Sequence, residues 1–205
     1  MKRYILILLL SFCASVQAQN LRSLFMSAPD EVLPLLPENA RADCLDYIDA
    51  GMEARVMNSL DGTSVMTVLT DDYLFLQTTS SSSVQMKLLP CADSSSLVCV
   101  IKSVKAEAEN SHVAFYDLEW NRVPGEQLFV APAIADFFIS ADSAARYIDK
   151  CDMYLVRCLL TGNDATLTAE YTMPAYMYIN DSELIAPLLR KIVYQWDGTR
   201  FVVRE

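Results

Sequence analysis

The fold class of this chain is indicated most clearly by residues 64–78. Their sequence is Ser64-Val65-Met66-Thr67-Val68-Leu69-Thr70-Asp71-Asp72-Tyr73-Leu74-Phe75-Leu76-Gln77-Thr78. Apolar and β-branched residues recur with a period near two on both sides of Asp71-Asp72, which is typical of β-strands. Aspartates favour tight turns because they form hydrogen bonds with their own backbone. The stretch therefore predicts two strands, 64–69 and 73–78, joined by a short turn.

More strands follow toward the C-terminus. The serine run Ser80 to Ser83 ends the second strand, and the next is predicted over residues 84–89. After a turn through residues 90–96, two further strands are predicted at 97–104 and 112–118. Short connections between successive strands favour an antiparallel meander over parallel units with crossover helices.

The residues before the sheet have helical spacing instead. Residues 21–28 place apolar side chains on one helical face, and Pro29 ends that helix. Asp30 is a candidate cap for a second helical piece that extends through Leu36. A third helix is predicted from Pro37 to about Met52.

The second part of the chain repeats this order on a smaller scale. A helix is predicted over residues 142–150, strands at 153–160 and 165–172, and a short helix at 181–186. The chain ends in a hairpin of strands 188–196 and 200–204, with Asp197-Gly198 as the turn. We therefore predict an α+β fold: N-terminal helices with an antiparallel meander sheet in residues 19–130, and a smaller helix-plus-antiparallel-sheet unit in residues 131–205.

The two units also share sequence at an offset of 100 residues. Tyr47-Ile48-Asp49 matches Tyr147-Ile148-Asp149, and Leu88-Leu89 matches Leu188-Leu189. A tandem duplication of a helix-then-sheet unit is one interpretation of these identities, and chance similarity in a short window is the other.

Residues 1–18 have the three parts of a secretory signal peptide. Lys2 and Arg3 precede a short apolar run, and Val16-Gln17-Ala18 offers a cleavage site before Gln19. Lipidation at Cys13 is the alternative, but the bulky Phe12 stands where a small residue should precede the cysteine. We expect an exported protein, located in the periplasm or at the cell surface or secreted, with no transmembrane segment after removal of the leader.

The charge and cysteine content narrow the classes of partner. The mature chain would hold 14 basic and 26 acidic residues, so nucleic acid is an unfavourable partner. Its cysteines are Cys44, Cys91, Cys99, Cys151 and Cys158. They are interpreted either as buried small apolar side chains or, for Cys91 and Cys99, as partners in a disulfide; the sequence leaves the pairing and the oligomeric state open.

No pattern in the sequence predicts catalysis, a metal site or a cofactor. His112 is the sole histidine, and no Gly-x-Ser-x-Gly motif surrounds any serine. A Cys99–His112 pair would need proximity in the fold. Asp71-Asp72 suits a turn better than a cation site, and Asp43, Asp46 and Asp49 form either a solvated helix face or an acidic docking stripe.

The segment Tyr171-Thr172-Met173-Pro174-Ala175-Tyr176-Met177-Tyr178 has the most unusual composition of the chain. Tyrosine and methionine are enriched at recognition surfaces because they bury a large area and adapt their shape. Tyr171, Met173, Tyr176, Met177 and Tyr178 are therefore the candidate binding surface, with closure of the second core as the alternative role.

Several motifs resemble a family of exported proteins of unknown function found largely in Bacteroidales. They are the leader, Leu24-Phe25 before Pro29-Asp30, Met66-Thr67, Leu69-Thr70-Asp71-Asp72-Tyr73-Leu74, Met86-Lys87-Leu88-Leu89-Pro90, Phe115-Tyr116-Asp117 and Trp196-Asp197-Gly198. The resemblance implies export and a shared fold but no site residues. The predicted architecture also has a weaker likeness to secreted β-lactamase-inhibitor-like and PepSY-like modules, which bind proteins.

These observations predict a non-enzymatic binding or inhibitory module of the cell envelope, which acts on an envelope or secreted protein through a sheet face or through the tyrosine and methionine segment. A structural or assembly role in the envelope is the alternative. A hydrolase that uses paired carboxylates is the third reading, and it would require two facing carboxyl groups in one cleft.

Overall fold

The computed structural model describes residues 20–204, so the predicted signal peptide lies outside the described residues. Two helices open this part of the chain: α1 spans Leu21–Ser27 and α2 spans Glu38–Asp49. Asn20 caps α1, because its side-chain oxygen accepts a hydrogen bond from the backbone N–H of Ser23 at 3.0 Å.

The helix predicted from Asp30 to Leu36 was wrong, because this segment forms turns. Pro34 lacks the N–H that a helix interior requires. The buried Arg41 side chain also donates to the carbonyl oxygens of Leu36, at 2.7 Å, and of Ala28. The segment is therefore held by a guanidinium group instead of by helical hydrogen bonds.

Seven strands follow and form one antiparallel sheet in the order β1-β2-β3-β4-β5-β6-β7. Their bounds are Ala54–Met57 for β1, Thr63–Leu69 for β2, Tyr73–Thr79 for β3, Ser82–Pro90 for β4, Ser96–Lys105 for β5, Glu109–Tyr116 for β6 and Arg122–Val123 for β7. The predicted meander is confirmed, and the sequence-based prediction omitted only its two edge strands, β1 and β7.

Both faces of this sheet are buried, each against a different layer. In β3, Leu74 and Leu76 pack with the N-terminal helices, whereas Tyr73 and Phe75 face the opposite way. Successive side chains of a strand point to opposite faces, so one run of sequence supplies two separate cores.

The second layer is a smaller antiparallel sheet in the order β11-β10-β9-β8. The residues from 141 onward form α3 (Ala141–Tyr147), β8 (Val156–Leu160), β9 (Thr166–Tyr171), α4 (Ile179–Ile185), β10 (Ile192–Trp196) and β11 (Phe201–Val203). The predicted final hairpin is confirmed; its loop has four residues, and Gly198 adopts a positive φ of 96°. The α+β class is therefore confirmed.

The two sheets share one core cluster. Ile101 and Phe115 of the large sheet belong to the same buried cluster as Leu167, Ala169 and Tyr194 of the small sheet. The molecule thus has three layers: helices, a seven-stranded sheet and a four-stranded sheet. The boundary near residue 130 separates the two sheets in sequence, while their side chains form a common interior.

The two units correspond only in part. At the offset of 100 residues, β1 and β2 overlap β8 and β9, but Leu89 lies in β4 whereas Leu189 follows a 3-10 turn. The duplication therefore stays an interpretation of the sequence.

The cysteines of residues 20–204 are free thiols, and four of the five are buried. They are Cys44, Cys91, Cys99, Cys151 and Cys158. Among the helices of residues 20–204, none is long and apolar enough to cross a membrane.

Candidate functional site

The structure divides the candidate binding surface between the core and the exterior. Tyr171 and Met173 are only 4% and 5% exposed, and the Tyr171 hydroxyl donates to the carbonyl oxygen of Met153 at 2.8 Å. Tyr171 at the end of β9 and Met173 in the 3-10 turn after it both lie in the core between the sheets, so neither is part of the exposed surface. Closure of this core is the role they have.

Tyr176 and Tyr178 lie on the exterior, with 55% and 88% of their surface exposed. Met177 between them is half-buried against the shared core. Ile179, the first residue of α4, is 70% exposed and was not among the predicted surface residues. We call Tyr176, Tyr178 and Ile179 the tyrosine ridge.

Buried residues on both sides hold the tyrosine ridge in place. Met173 and Pro174 are buried in the 3-10 turn before it, and Ile185 is fully buried at the end of α4. The Lys150 ammonium also lies 2.6 Å from the Asp181 carboxylate, which ties α4 to the residues after α3. The exposed rings therefore project from a segment with fixed ends.

A cleft of about 370 Å³ begins directly beside the tyrosine ridge. Thr172, Pro174 and Ala175 form one wall, and the residues after α4 form another. We call it the Arg157 cleft, after the cross-strand pair Arg157–Glu170 that lies in it.

The Arg157 guanidinium joins the charged groups of this cleft. Its Nη2 atom is hydrogen-bonded to Glu170, and its Nη1 atom lies 3.8 Å from a carboxylate oxygen of Glu109. Lys191 approaches the other oxygen of Glu170 at 3.5 Å. The buried Nε atom of Arg157 has no hydrogen-bond partner among the described residues, which is uncommon for a buried donor.

A second cleft of about 350 Å³ meets the first at Arg157. The two share Lys105, Glu109 and Arg157, and the second is otherwise lined by Phe75, Gln77, Ser80, Ser81, Ser82, Ser83, Ser103 and Leu159. The serines at and after the β3–β4 turn therefore line a polar, hydroxyl-rich extension of the Arg157 cleft.

The other candidate catalytic residues are not brought together. His112 is exposed on β6 and pairs in register with Lys102, whereas Cys99 is fully buried and pairs with Phe115. Burial raises the pKa of the Cys99 thiol far above its ordinary value, so it does not supply a thiolate. The proximity that a Cys99–His112 pair would need is therefore not present.

Asp71 and Asp72 have structural contacts. The Asp71 carbonyl oxygen accepts a hydrogen bond from the first N–H of α1 at 3.2 Å, and the Asp72 carboxylate lies 2.9 Å from the buried ammonium of Lys87. The Lys87 ammonium also donates to the carbonyl oxygen of Gly162. This link between the sheets was not predicted, although Lys87, a charged residue between Met86 and Leu88 in a strand, was its signal.

Asp43, Asp46 and Asp49 are exposed, and Asp49 forms an ion pair with Arg22 at 2.6 Å. Within residues 20–204, no group of three or more His, Cys, Asp or Glu residues is arranged to hold a metal ion.

Comparisons with known proteins place this fold in a family. The family described as "Protein of unknown function (DUF3256)" matches residues 13–201. A solved structure, a domain of an uncharacterized protein from Porphyromonas gingivalis W83, is similar over 90% of this chain and 98% of that one, with a TM-score of 0.77 and 26% sequence identity. Comparison with curated proteins gave no match. These findings give no support to the likeness with β-lactamase-inhibitor-like or PepSY-like modules.

Proposed function

The chain belongs to the DUF3256 family of proteins of unknown function, and we propose that it is a non-enzymatic binding or inhibitory module of the cell envelope. Its leader-like residues 1–18 support export. The tyrosine ridge is the surface through which it binds a protein partner. Exposure of the ridge on a segment with fixed ends is the observation that carries the proposal.

The chemistry of the tyrosine ridge suits protein recognition. Tyrosine is enriched among residues that dominate binding energy, because its ring buries a large area while its hydroxyl keeps a hydrogen bond. Fixed ends also reduce the conformational entropy that is lost on binding. An exported or envelope protein with a basic contact surface would complement the acidic composition of this chain.

The test is capture from a native envelope extract with three forms of the purified mature chain. The first is wild type, the second carries Tyr176→Ala and Tyr178→Ala, and the third carries Met57→Ala and Leu60→Ala. The third is a matched control, because Met57 and Leu60 are 72% and 69% exposed near the β1–β2 turn.

We expect one stoichiometric partner with the wild type and the control, and its loss with the tyrosine variant. With the purified partner, the two tyrosine substitutions should weaken binding by at least about tenfold. Equal capture by all three forms would refute the assignment to the ridge. Self-association of the wild type without another protein would favour the assembly role instead.

A further inference from the structure

The Arg157 cleft concentrates positive charge in an acidic chain. Four cationic side chains line it: Lys105, Arg157, Arg190 and Lys191. Residues 20–204 contain only 14 basic residues, against 25 acidic ones. The carboxylates of the cleft are Glu107, Glu109 and Glu170, so its lining carries more positive than negative groups.

Two of the four cations have no carboxylate partner. Within residues 20–204, neither Lys105 nor Arg190 has a carboxylate oxygen within 4 Å, and both side chains are exposed. The Arg190 Nε atom donates to the carbonyl oxygen of Asp136, which orients the guanidinium group. Arg157 and Lys191 share Glu170 instead.

Besides Tyr171 and Thr172, the uncharged part of the lining is apolar. Pro174, Ala175, Ala186 and Leu189 contribute side chains that cannot form hydrogen bonds. A volume of about 370 Å³ lies within the range of small-molecule sites. A ligand that complements both the cationic side chains and the apolar side chains of the cleft carries an anionic oxygen group next to a short apolar group.

We propose that the Arg157 cleft binds a small carboxylate, whose carboxyl group lies between Lys105 and Arg190 and whose apolar part packs on Pro174 and Leu189. Guanidinium groups match the planar geometry of a carboxylate better than they match a neutral polar group. This site uses none of the three residues of the tyrosine ridge, so it stands whether or not the ridge binds a protein.

The test uses 3-phenylpropanoate and its neutral analogue 3-phenylpropanamide as probes. Each is titrated into the isotopically labelled mature chain while backbone amide resonances are followed by NMR. We expect saturable shifts for residues 105–109, 171–175 and 186–191 with the carboxylate, and a Kd of about 1 mM for a probe of this size. The amide should bind at least about tenfold more weakly.

Variants locate the site. Lys105→Gln combined with Arg190→Gln should weaken the carboxylate at least about tenfold, because both cations are lost. Arg146→Gln removes an exposed charge outside the cleft and should leave the Kd unchanged. The variant Tyr176→Ala, Tyr178→Ala should also bind normally, and thermal unfolding checks that every variant is folded.

Three outcomes overturn the proposal. They are equal binding of the carboxylate and the amide, equal affinity of the wild type and the double cleft variant, and tighter binding of inorganic phosphate with the same shifts. The last outcome would assign the cleft to phosphate-bearing ligands instead of carboxylates.

Discussion

At the scale of single residues, Lys87 shows how a buried charge can be tolerated. Its side chain is almost fully buried, yet its ammonium contacts the half-exposed Asp72 carboxylate and the Gly162 carbonyl, and lies 5.8 Å from the centre of the Tyr73 ring. Burying a charge is costly unless it is paired and hydrogen-bonded. Each of these contacts therefore compensates part of the desolvation cost.

Replacing Lys87 should destabilise the protein. Lys87→Ala removes the link to Gly162 and leaves a cavity, so we expect the free energy of unfolding to fall by about 2–4 kcal/mol. Lys87→Met should cost less, because it keeps most of the volume and removes the buried charge. Urea unfolding measures the loss of stability in both variants. The control is Lys150→Ala, which removes an exposed ion pair and should lower the free energy of unfolding by only about 0–1 kcal/mol. Equal losses for Lys87→Ala and Lys150→Ala would contradict this account.

The buried thiols predict a loss of stability in alkali. Burial, reinforced by the Asp43 carboxylate, raises the pKa of Cys44 from 9.0 to about 11, and burial alone raises that of Cys158 to about 12. The unfolded chain releases these protons at a lower pH than the folded protein. The contribution of the two thiols to the free energy of unfolding is therefore complete below pH 9 and is lost as the pH rises through about 11 and 12. Each unit by which a pKa is raised corresponds to about 1.4 kcal/mol of this contribution.

Urea unfolding at several values between pH 7 and pH 11 tests this prediction. The wild type should lose stability steadily above pH 9. The variant Cys44→Ala, Cys158→Ala should have a shallower slope there, although its stability at pH 7 is lower because two small cavities form. Parallel slopes for the two proteins would show that the thiols do not set the alkaline limit.

At the scale of elements, β8 is an edge strand whose outer backbone groups are satisfied by side chains. The N–H groups of Val156, Cys158 and Leu160 donate to oxygens of Asn110, Ser111 and Gln85 at 3.1, 2.9 and 2.9 Å. An uncovered edge would expose these donors to pairing with another chain. Here the large sheet closes the edge of the small one.

Gln85 should be the most sensitive of these three side chains. It is 1% exposed, and it also accepts from the Tyr73 hydroxyl and donates to the Cys158 carbonyl oxygen. Gln85→Leu leaves three buried polar groups without partners, so we expect a loss of about 2–5 kcal/mol and faster hydrogen exchange at the Leu160 amide. Gln127→Leu, at an exposed position, is the control and should change neither quantity. Unchanged exchange at Leu160 would contradict the role of Gln85.

The periodicity of the sequence was sufficient for the central strands, because each alternates between two buried faces. It was insufficient for β1 and β7, which have four and two residues and rely on their neighbours. Pro34 was a local signal against a helix at 30–36, whereas the contacts that hold the turns come from Arg41 of the following helix and follow no local pattern. Composition likewise does not show where β9 ends. Tyr171 is buried because it is the last residue of β9, whereas Tyr176 lies beyond the strand and is exposed.

The Arg157 cleft was beyond sequence-based prediction for a related reason. Lys105 comes from β5, Arg157 from β8 and Arg190 from the residues before β10, so only the packing of the two sheets brings them together. In the sequence, these three cations are separated by more than 30 residues and follow no motif. The tyrosine segment was found because its residues are contiguous.

At the scale of the whole molecule, the shared core predicts that the two units do not fold independently. In a fragment of residues 19–130, the large sheet would expose the face that the small sheet covers, including Tyr73, Leu89, Cys99, Ile101 and Phe115. Exposing one large apolar side chain costs about 1.5–3 kcal/mol. The total, about 10 kcal/mol, is comparable to the whole stability of an ordinary domain.

We therefore expect residues 19–205 to unfold in one calorimetric transition. The fragment 19–130 should lack a cooperative transition and should bind a hydrophobic dye. Fragment 131–205 should restore the cooperative transition when it is added, because its strands supply the missing half of the core. A fragment 19–130 that melts cooperatively on its own would show instead that the helices on the opposite face provide sufficient stability. In that case, the contact between the sheets would be an interface between two domains, and the Arg157 cleft would lie at a joint that can open.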